Sequence, residues 1–548
     1  MTNTATTQHL SRELKDTDGQ LTGSNTSPLR KHVRFARNIP ANRISWVSFL
    51  NPTDKVDTHP PLLLPKPETL GGDEFNYMGV RKNTIRVKPA PTFLKTLVLA
   101  IFFVITQGFT NTIHGANPEH LEQLKTTNTC PQCDLTDADL TNANLQQANL
   151  SGANLKGAIL TGANLNQANL SNAELNGTKL AGATLARANL REAKLGLREL
   201  DADNPLPSQV EPDNLYNTLS WLGYFPAFIA NWYAAVVTDL RDTNLQGADL
   251  YRANLDGALL TRANLQEAQL DYASLVRTYL REAILTNANL VSADLRNANL
   301  TNAQLEVADI RSADLRGANL NNANLDTVNG DSANLSGANL SQAYISNADF
   351  NGAILVRTTL QGAVLNGSNF QIADLSQANL QGAQLKGVGF NRANLTKANL
   401  EGANLTNAKL AIADLTNAQL TGAILHSAYL HSATLTNANL SGVDLQQAQL
   451  REANLSNVTL VGATLEDASL IRSTLTEANL TYTNLTRCDL RGANLTGADL
   501  SYANLTQADF AQAALIDVTL QGANLSDANF KNAIGFNRYA VPRSTPVP

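Results

Sequence analysis

The chain has 548 residues, a formal net charge of −6, 16% charged residues and 5% aromatic residues. The low charged and aromatic shares argue against an ordinary enzyme or a helical bundle, and the net charge is too small to imply a strongly basic or acidic partner. This length would ordinarily predict several domains. Regular repetition replaces that expectation, because a repeat array grows without one central core.

Residues 1–92 are predicted to form a disordered polar tail. They contain scattered Pro and Thr residues and no hydrophobic period, and such a segment buries too little apolar surface to fold. The basic stretch Arg30–Arg43 is interpreted as a solvated part of this tail, with binding to anionic lipid or nucleic acid as the alternative.

Residues 93–115 are predicted to be a signal peptide or a signal anchor. The apolar core Leu97–Ile105 is short for a membrane span of about 20 residues, but it has the length of a signal-peptide core and follows several basic residues. An uncleaved segment would associate with a membrane through 93–109, and a third alternative is that the run is simply buried. The first two alternatives place the repeat outside the cytoplasm, in a periplasm or a thylakoid lumen.

The position of Met78 gives two interpretations of the tail. Met78 is one of only two methionines and stands where a conventional secretory signal would begin. Either translation starts at Met78 and residues 1–77 are not part of the protein, or these residues form a genuine cytosolic tail.

Residues 116–128 are predicted to form a helix that covers the first coil of the repeat. Asn117 can cap this helix and Pro118 suits its first turn. Leu121 and Leu124 lie three residues apart, so both are expected to pack on the first coil.

The segments 129–199 and 238–535 repeat every five residues around an apolar centre, i. The centres run from Leu135 to Leu195 and from Leu240 to Phe530, with Ala usual at i−2 and Asn or Asp frequent at i−1. A helix would spread this period around its surface, and a strand would alternate it between faces. A chain that turns a corner every five residues buries every centre, and Asn at i−1 is expected to tolerate the tight turn and bond to local backbone.

Four such sides close a square of twenty residues. The sequence therefore predicts an all-β solenoid of about 18 coils, stacked at about 4.8 Å. The aromatic centres test the square, because every pair is separated by a multiple of twenty and should share one wall. Gly330 precedes Phe350 on that wall and is expected to make room for its ring. The aromatic centres are Phe350, Phe370, Phe390, Phe510 and Phe530.

This pattern resembles the pentapeptide-repeat family, whose consensus is A-(D/N)-L-x-x, over about 129–195 and 238–535. The resemblance implies a right-handed quadrilateral β-helix, the Rfr fold. It also implies that a homodimer through the C-terminal end is a reasonable expectation. With the signal-like segment, the organisation of the chain resembles that of exported cyanobacterial members from the periplasm or thylakoid lumen.

The segment 200–237 interrupts the array once. Leu240 lies forty residues after the centre expected at position 200, so the assignment of sides is preserved, as for a loop inserted at one corner. One interpretation is that helices of this insertion pack on the outer wall, and the other is that they dock a partner or a membrane interface. Its aromatic residues are the candidate docking residues: Trp221, Tyr224, Phe225, Phe228, Trp232 and Tyr233.

Cys130, Cys133 and Cys488 all fall on inward positions of the period. They are interpreted as core residues, with a Cys130–Cys133 disulfide closing the first coil as the alternative in an oxidising compartment. A second ligand pair for zinc is missing. His426 and His431 are expected to point outward and apart, so no metal or cofactor site is predicted.

The C-terminal tail 536–548 contains no helical cap. Phe536 and Tyr539 are expected to cover the last coil, unless that end pairs with a second copy of the chain.

These features predict a non-catalytic structural or protein-interaction scaffold outside the cytoplasm, whose protein partner is not identified by the sequence. One alternative is a DNA mimic that binds a topoisomerase such as gyrase, and another is a membrane-associated assembly factor that docks through the aromatic insertion. No catalytic cluster of Asp, Glu and Arg is apparent, so an enzyme is not predicted, and nucleic-acid binding is not expected. The acidic residues are interrupted by Arg241, Arg252, Arg262, Arg311, Arg316, Arg392 and Lys397.

Overall fold

The computed structural model of the protein describes residues 115–197 and 237–536. The predicted tail, the signal segment before residue 115, most of the insertion and Tyr539 lie outside the described residues. The six candidate docking aromatics lie outside them as well.

The array is held together by parallel bridges between residues twenty positions apart. Asn334 at position i−1 pairs with Ile354 on the next coil and with Asp314 on the previous one, and the same spacing continues to Ile534. Every bridge is a single residue, and the described ranges contain no longer strand. The predicted all-β solenoid thus consists of isolated bridges, because two of every five residues turn a corner.

Backbone hydrogen bonds link each side to both neighbouring coils. The Leu335 N–H donates to the Ile354 carbonyl at 2.7 Å, and the Asn334 N–H donates back to the Ala313 carbonyl at 2.9 Å. The Gly337 N–H at the corner donates to the Val356 carbonyl at 2.9 Å. Few polar backbone groups inside the stack are therefore left to be satisfied by water.

Each complete corner of the array contains a residue in the left-handed conformation at position i+2. Asn417 has φ 59°, and the Ala418 N–H donates to the Leu415 carbonyl at 3.0 Å. A hydrogen-bonded turn with positive φ only at its third residue is a type II turn. Asn at i−1 was expected to tolerate the tight turn, and this part of the prediction was wrong, because the left-handed residue is three positions further on.

Asn at i−1 instead uses its side chain. The Asn404 Oδ1 accepts the Thr406 N–H at 3.1 Å and the Thr406 hydroxyl at 2.7 Å. The Asn399 amide donates to the Asn379 Oδ1 of the neighbouring coil at 3.3 Å. The predicted bond to local backbone is confirmed, and a ladder between coils accompanies it.

The core contains one large and one small side chain from each side. Leu400 and Ala398 are both fully buried, as the period predicts. Thr or Ser replaces Ala at several i−2 positions, and the hydroxyl then donates to a centre carbonyl, as Thr358 does to Leu335 at 2.8 Å. These buried hydroxyls are therefore satisfied rather than available for chemistry.

The predicted aromatic wall is confirmed. Ring centroids of Phe350 and Phe370 lie 5.3 Å apart, those of Phe370 and Phe390 lie 5.5 Å apart, and those of Phe510 and Phe530 lie 5.1 Å apart. These spacings suit stacked or offset aromatic pairs. Phe530 belongs to the last full coil and is only partly buried.

The N-terminal end of the stack is covered by helix α1, Pro118–Thr127. The Asn117 side chain accepts the Glu119 N–H at 2.9 Å, which caps the helix. Leu124 is fully buried and Leu121 is partly buried against the first coil. The His120 Nδ1 accepts the Asp134 N–H at 3.0 Å, so the helix also bonds to the edge of that coil.

The C-terminal end is covered less completely. The Phe536 ring stacks on Phe530 with centroids 3.9 Å apart, as predicted for Phe536. Leu520 and Leu525 remain only partly buried, whereas the corresponding centres at the other end are buried.

Gly330 leaves the space that the Phe350 ring occupies. A Cβ added at Gly330 would lie 2.6 Å from the Phe350 Cδ1, which confirms the predicted complementarity. Gly330→Leu should destabilise the protein by about 1–3 kcal/mol through overpacking, and Phe350→Leu should destabilise it through a cavity. The double variant restores the usual pair of Leu residues. In chemical denaturation, its loss of stability should therefore be smaller than the sum of the losses in the two single variants.

Phe510→Leu is the matched control for this cycle, because Phe510 is on the same wall without a glycine before it in the stack. Its effect should add to that of Gly330→Leu, since the two sites share no partner. Additive effects at Gly330 and Phe350 would contradict the steric account.

Candidate interaction site at the interruption of the array

The ladder continues across the interruption without a change of wall. Lys179 bridges Asp239 and Lys194 bridges Asn254, at separations of sixty residues instead of twenty. The Leu197 N–H donates to the Asp256 carbonyl at 3.0 Å, as a corner residue does. The register therefore assigns the forty extra residues to 198–237, slightly before the predicted boundary at 200.

Hydrogen bonds of the Thr238 hydroxyl hold the chain in place where it re-enters the coil. Its hydroxyl lies 3.1 Å from the carbonyl oxygens of Leu175 and Gly196, and it accepts the Gly177 N–H at 3.0 Å. The Thr238 side chain is fully buried. Because three backbone groups converge on one hydroxyl, the two ends of the insertion are held together at a fixed point of the wall.

The wall beside this point is apolar on its outer surface. Leu259 occupies an outward i−1 position, where Asn or Asp is usual, yet it is only 8% exposed. It packs with buried Val237 and with partly buried Leu197 and Tyr279. We call these four residues the root cluster, and they form the outer base from which the insertion leaves the array.

A partly buried charge group borders the root cluster. The Asp239 carboxylate pairs with the Arg241 guanidinium through contacts of 2.9 and 2.8 Å. Burial lowers the pKa of Lys179, although the Asp239 carboxylate opposes this shift. The group therefore places two basic side chains and one carboxylate beside the base of the insertion.

The next corner of the same coils carries an exposed cluster of tyrosine and arginine. Tyr251 and Tyr272 meet edge to face at 5.8 Å between centroids. Arg191 lies 4.2 Å above the Tyr251 ring and also pairs with Asp249 at 2.9 Å, a bond that raises the pKa of Arg191. Arg252 lies 5.1 Å from the Tyr251 centroid. Such stacked cations and rings are common at protein interfaces.

Cys130, Cys133 and Cys488 all point into the core, as predicted from the period. Cys130 and Cys133 are buried and form a disulfide at the first corner, which supports the alternative of a bonded pair. Cys488 is a buried free thiol, and burial raises its pKa well above the ordinary value. A protonated, inaccessible thiol is unreactive, so Cys488 is a core residue.

Residues 115–197 and 237–536 include no cluster of His, Cys, Asp or Glu suited to a metal ion. The His431 Nδ1 lies 3.0 Å from the Arg451 carbonyl oxygen. No helix in this part of the chain is long and apolar enough to cross a membrane, and the predicted signal segment is not among these residues.

A family model for pentapeptide repeats matches the chain in overlapping blocks across 133–196 and 238–532, which is more than half of its length. The chain belongs to the pentapeptide-repeat family. Members of this family fold as right-handed quadrilateral β-helices and are generally non-catalytic scaffolds. The twenty-residue ladder and the aromatic wall of this chain agree with that fold.

Solved pentapeptide-repeat structures are similar to parts of the chain. HetL from the cyanobacterium Nostoc, a protein involved in heterocyst differentiation regulation, is 37% identical over 36% of this chain and 89% of its own, with a TM-score of 0.30. QnrB1, a plasmid-mediated fluoroquinolone resistance protein, is 17% identical over 36% and 90%, with a TM-score of 0.21. A protein from the Arabidopsis thaliana thylakoid lumen is 28% identical over 20% and 66%, with a TM-score of 0.08. No curated protein matches the chain at the level of sequence.

The interruption of the array was predicted from the sequence, whereas the root cluster and the tyrosine–arginine cluster were not. A signal for the root cluster was present, since Leu259 and Tyr279 occupy positions where the repeat usually has a polar residue. The contact between Arg191 and Tyr251 had no such signal, because it depends on stacking across the inserted residues.

Deletion of residues 198–237 should leave the array folded. It joins Leu197 to Thr238 and restores the spacing of five between Leu195 and Leu240. Repeat arrays are stabilised mainly by contacts between neighbouring coils, and all of those bridges remain. Circular dichroism and amide hydrogen exchange of the bridged coils should match those of the full chain.

Deletion of 198–239 is the matched control, because it removes only two further residues but shifts the period. A shift by two residues puts the wrong side chains in the core. Amide hydrogen exchange in the flanking coils should therefore rise sharply. Equal behaviour of both deletions, or unfolding by the first, would contradict the proposed register.

Proposed function

We propose that this pentapeptide-repeat protein is a non-catalytic scaffold outside the cytoplasm, which docks a protein partner through the insertion of its β-helix. The single observation that carries the proposal is the register across the interruption, because a stack of about 18 coils accommodates forty extra residues without losing a bridge. The array therefore holds the insertion at one defined place instead of using it for folding.

The base of the insertion supports a docking role. The root cluster forms an apolar base, and the tyrosine–arginine cluster lies one corner away on the same coils. The inserted segment adds six large aromatic residues within about a dozen positions. Aromatic residues and arginine are enriched where proteins bind one another, so this region combines a rigid base with residues suited to contact.

The disulfide supports a location outside the cytoplasm. Disulfides persist in oxidising compartments and are rare in the cytosol. The Cys130–Cys133 bond and the preceding signal-like segment point in the same direction. We propose the periplasm or the thylakoid lumen, reached by export or by membrane anchoring through 93–109.

The C-terminal end supports a homodimer. Leu520 and Leu525 are partly exposed centres of the last coil, and a second copy placed against this end would bury them. This contact uses a different part of the array from the insertion, so both interactions can occur together.

The alternative of a DNA mimic is less well supported by the surface charges. Arg311 and Arg316 each pair with an aspartate two residues earlier, at 2.6 and 2.5 Å. Ion pairs of this kind interrupt the acidic residues on the outer surface of the array, whereas a DNA mimic needs a continuous negative surface. Docking at a membrane through the aromatic insertion is the second alternative.

Capture of the partner from the native host tests the docking proposal. The tagged full chain and the variant lacking 198–237 should be purified after mild cross-linking, with partners identified by mass spectrometry. We expect a defined partner with the full chain and its loss with the deletion, because the deletion preserves the array. Identical partners for both proteins would contradict docking through the insertion.

Thiol labelling of the protein isolated from cells tests the compartment. The chain has three cysteines, and the denatured protein trapped without reductant should expose one reactive thiol, Cys488. Reduction before labelling should expose all three. Three reactive thiols before reduction would contradict an oxidising compartment.

A further inference from the structure

One wall of the array lacks acidic residues over four successive coils. Its outward positions are the i−1 residues and flanking corners around the centres Phe370, Phe390, Leu410 and Leu430, and none of them is Asp or Glu. Three cations, Lys386, Arg392 and Lys409, are exposed on this surface. We call this surface the basic wall, and it contrasts with the net charge of −6 of the whole chain.

The backbone aligns these residues on successive coils. Gly389 bridges Lys409, and Lys409 bridges Tyr429. At the corner, the Arg392 N–H donates to the Ala411 carbonyl at 2.9 Å, and the Ile412 N–H donates to the His431 carbonyl at 2.9 Å. Residues on neighbouring coils are therefore separated by about 4.8 Å, the ordinary strand spacing.

The cations of the basic wall are not neutralised locally. None of the three makes an ion pair with any residue in the described ranges, whereas Arg491 elsewhere pairs with Asp489 at 2.7 Å. Asp374 and Asp414 lie on the adjacent wall, where their carboxylates accept backbone N–H groups of Ser376 and Thr416 at 2.9 Å. The positive potential of the basic wall is thus directed outward.

Apolar and flat surface accompanies the charge. Ile372, Ile412 and Tyr429 are 61%, 54% and 52% exposed. Gly387 and Gly389 lack side chains beside Lys386, so backbone is accessible between the cations. The surface therefore offers apolar contacts and cations within about 15 Å along the stack, which suits a short segment with both apolar and acidic side chains.

We propose that the basic wall binds an acidic, partly apolar segment of a partner protein. A membrane or a nucleic acid would extend beyond four coils. On one side it would meet the Asp349 carboxylate, and on the other side it would meet arginines that already pair with carboxylates, Arg451 with Glu452 at 3.2 Å and Arg487 with Glu466 at 2.6 Å. An extended polyanion therefore finds repulsion at one border and neutralised cations at the other, whereas a short peptide reaches neither. The assignment rests on the scaffold function proposed above, but it does not involve residues 198–237.

Peptide binding to the full chain tests this assignment. The probe is a fluorescein-labelled peptide of alternating Glu and Leu, and the comparison peptide has Lys in place of Glu. Fluorescence anisotropy should detect the acidic peptide only, with weaker binding as salt shortens the screening length from about 10 Å to about 3 Å. The variant K386Q/R392Q/K409Q should weaken binding about tenfold, as expected for three exposed charges.

The variant R277Q/R357Q/K397Q is the matched control. It removes the same charge from exposed positions on a corner outside the basic wall, and its affinity should stay within about twofold of the full chain. Equal losses of peptide affinity in both variants would mean that binding depends only on net charge, and this result would overturn the assignment. Tighter binding to phosphatidylglycerol vesicles or duplex DNA than to the acidic peptide, or no peptide binding, would overturn it as well.

The deletion variant separates this test from the proposed function. If the chain lacking 198–237 loses its cellular partner but still binds the acidic peptide, the two surfaces act independently. If the peptide fails to bind while the partner is retained through the insertion, the scaffold function stands and the basic wall is not a binding surface.

Discussion

The width of the core is the constraint on which the rest of this structure depends. A square of four short sides encloses space for only one large and one small side chain from each side, as Leu400 and Ala398 show. Three residues then form the side and two form the corner, which sets the period of five. The corners require a left-handed residue, and the strain of about 1 kcal/mol or more in non-glycine cases is offset by burial of the next centre.

The inward half of the molecule could be predicted from the sequence because every inward position is fixed by the period. The separation of Phe350, Phe370 and Phe390 by multiples of twenty identified one wall, and the empty position at Gly330 identified the space for a ring. The buried hydroxyl of Thr358 also follows, since a small residue is required there and its oxygen reaches a nearby carbonyl. Local steric rules decide all of these contacts.

The outward half could not be predicted in the same way. Position i+2 is left-handed throughout the array, and Gly is frequent there, but many other residues also occupy it, including Ile412 with φ 61°. No single residue type therefore marks it in every coil. Arg311 pairs with Asp309, whereas Arg392 has no ion pair with any residue in 115–197 or 237–536. This difference depends on how far each side chain reaches across corners and coils. Tyr251 meets Arg191 only because the inserted residues leave the register intact.

In the described ranges, the backbone hydrogen bonds between coils join only adjacent coils, which lie twenty residues apart in the chain, or sixty across the insertion. A duplication or loss within the gene that adds or removes whole turns would therefore keep every wall in phase. Any other change in length would move outward residues into the interior unless it formed a loop at a corner. Length in this protein is thus free to vary during evolution in units of one turn, while the pattern within each turn is not.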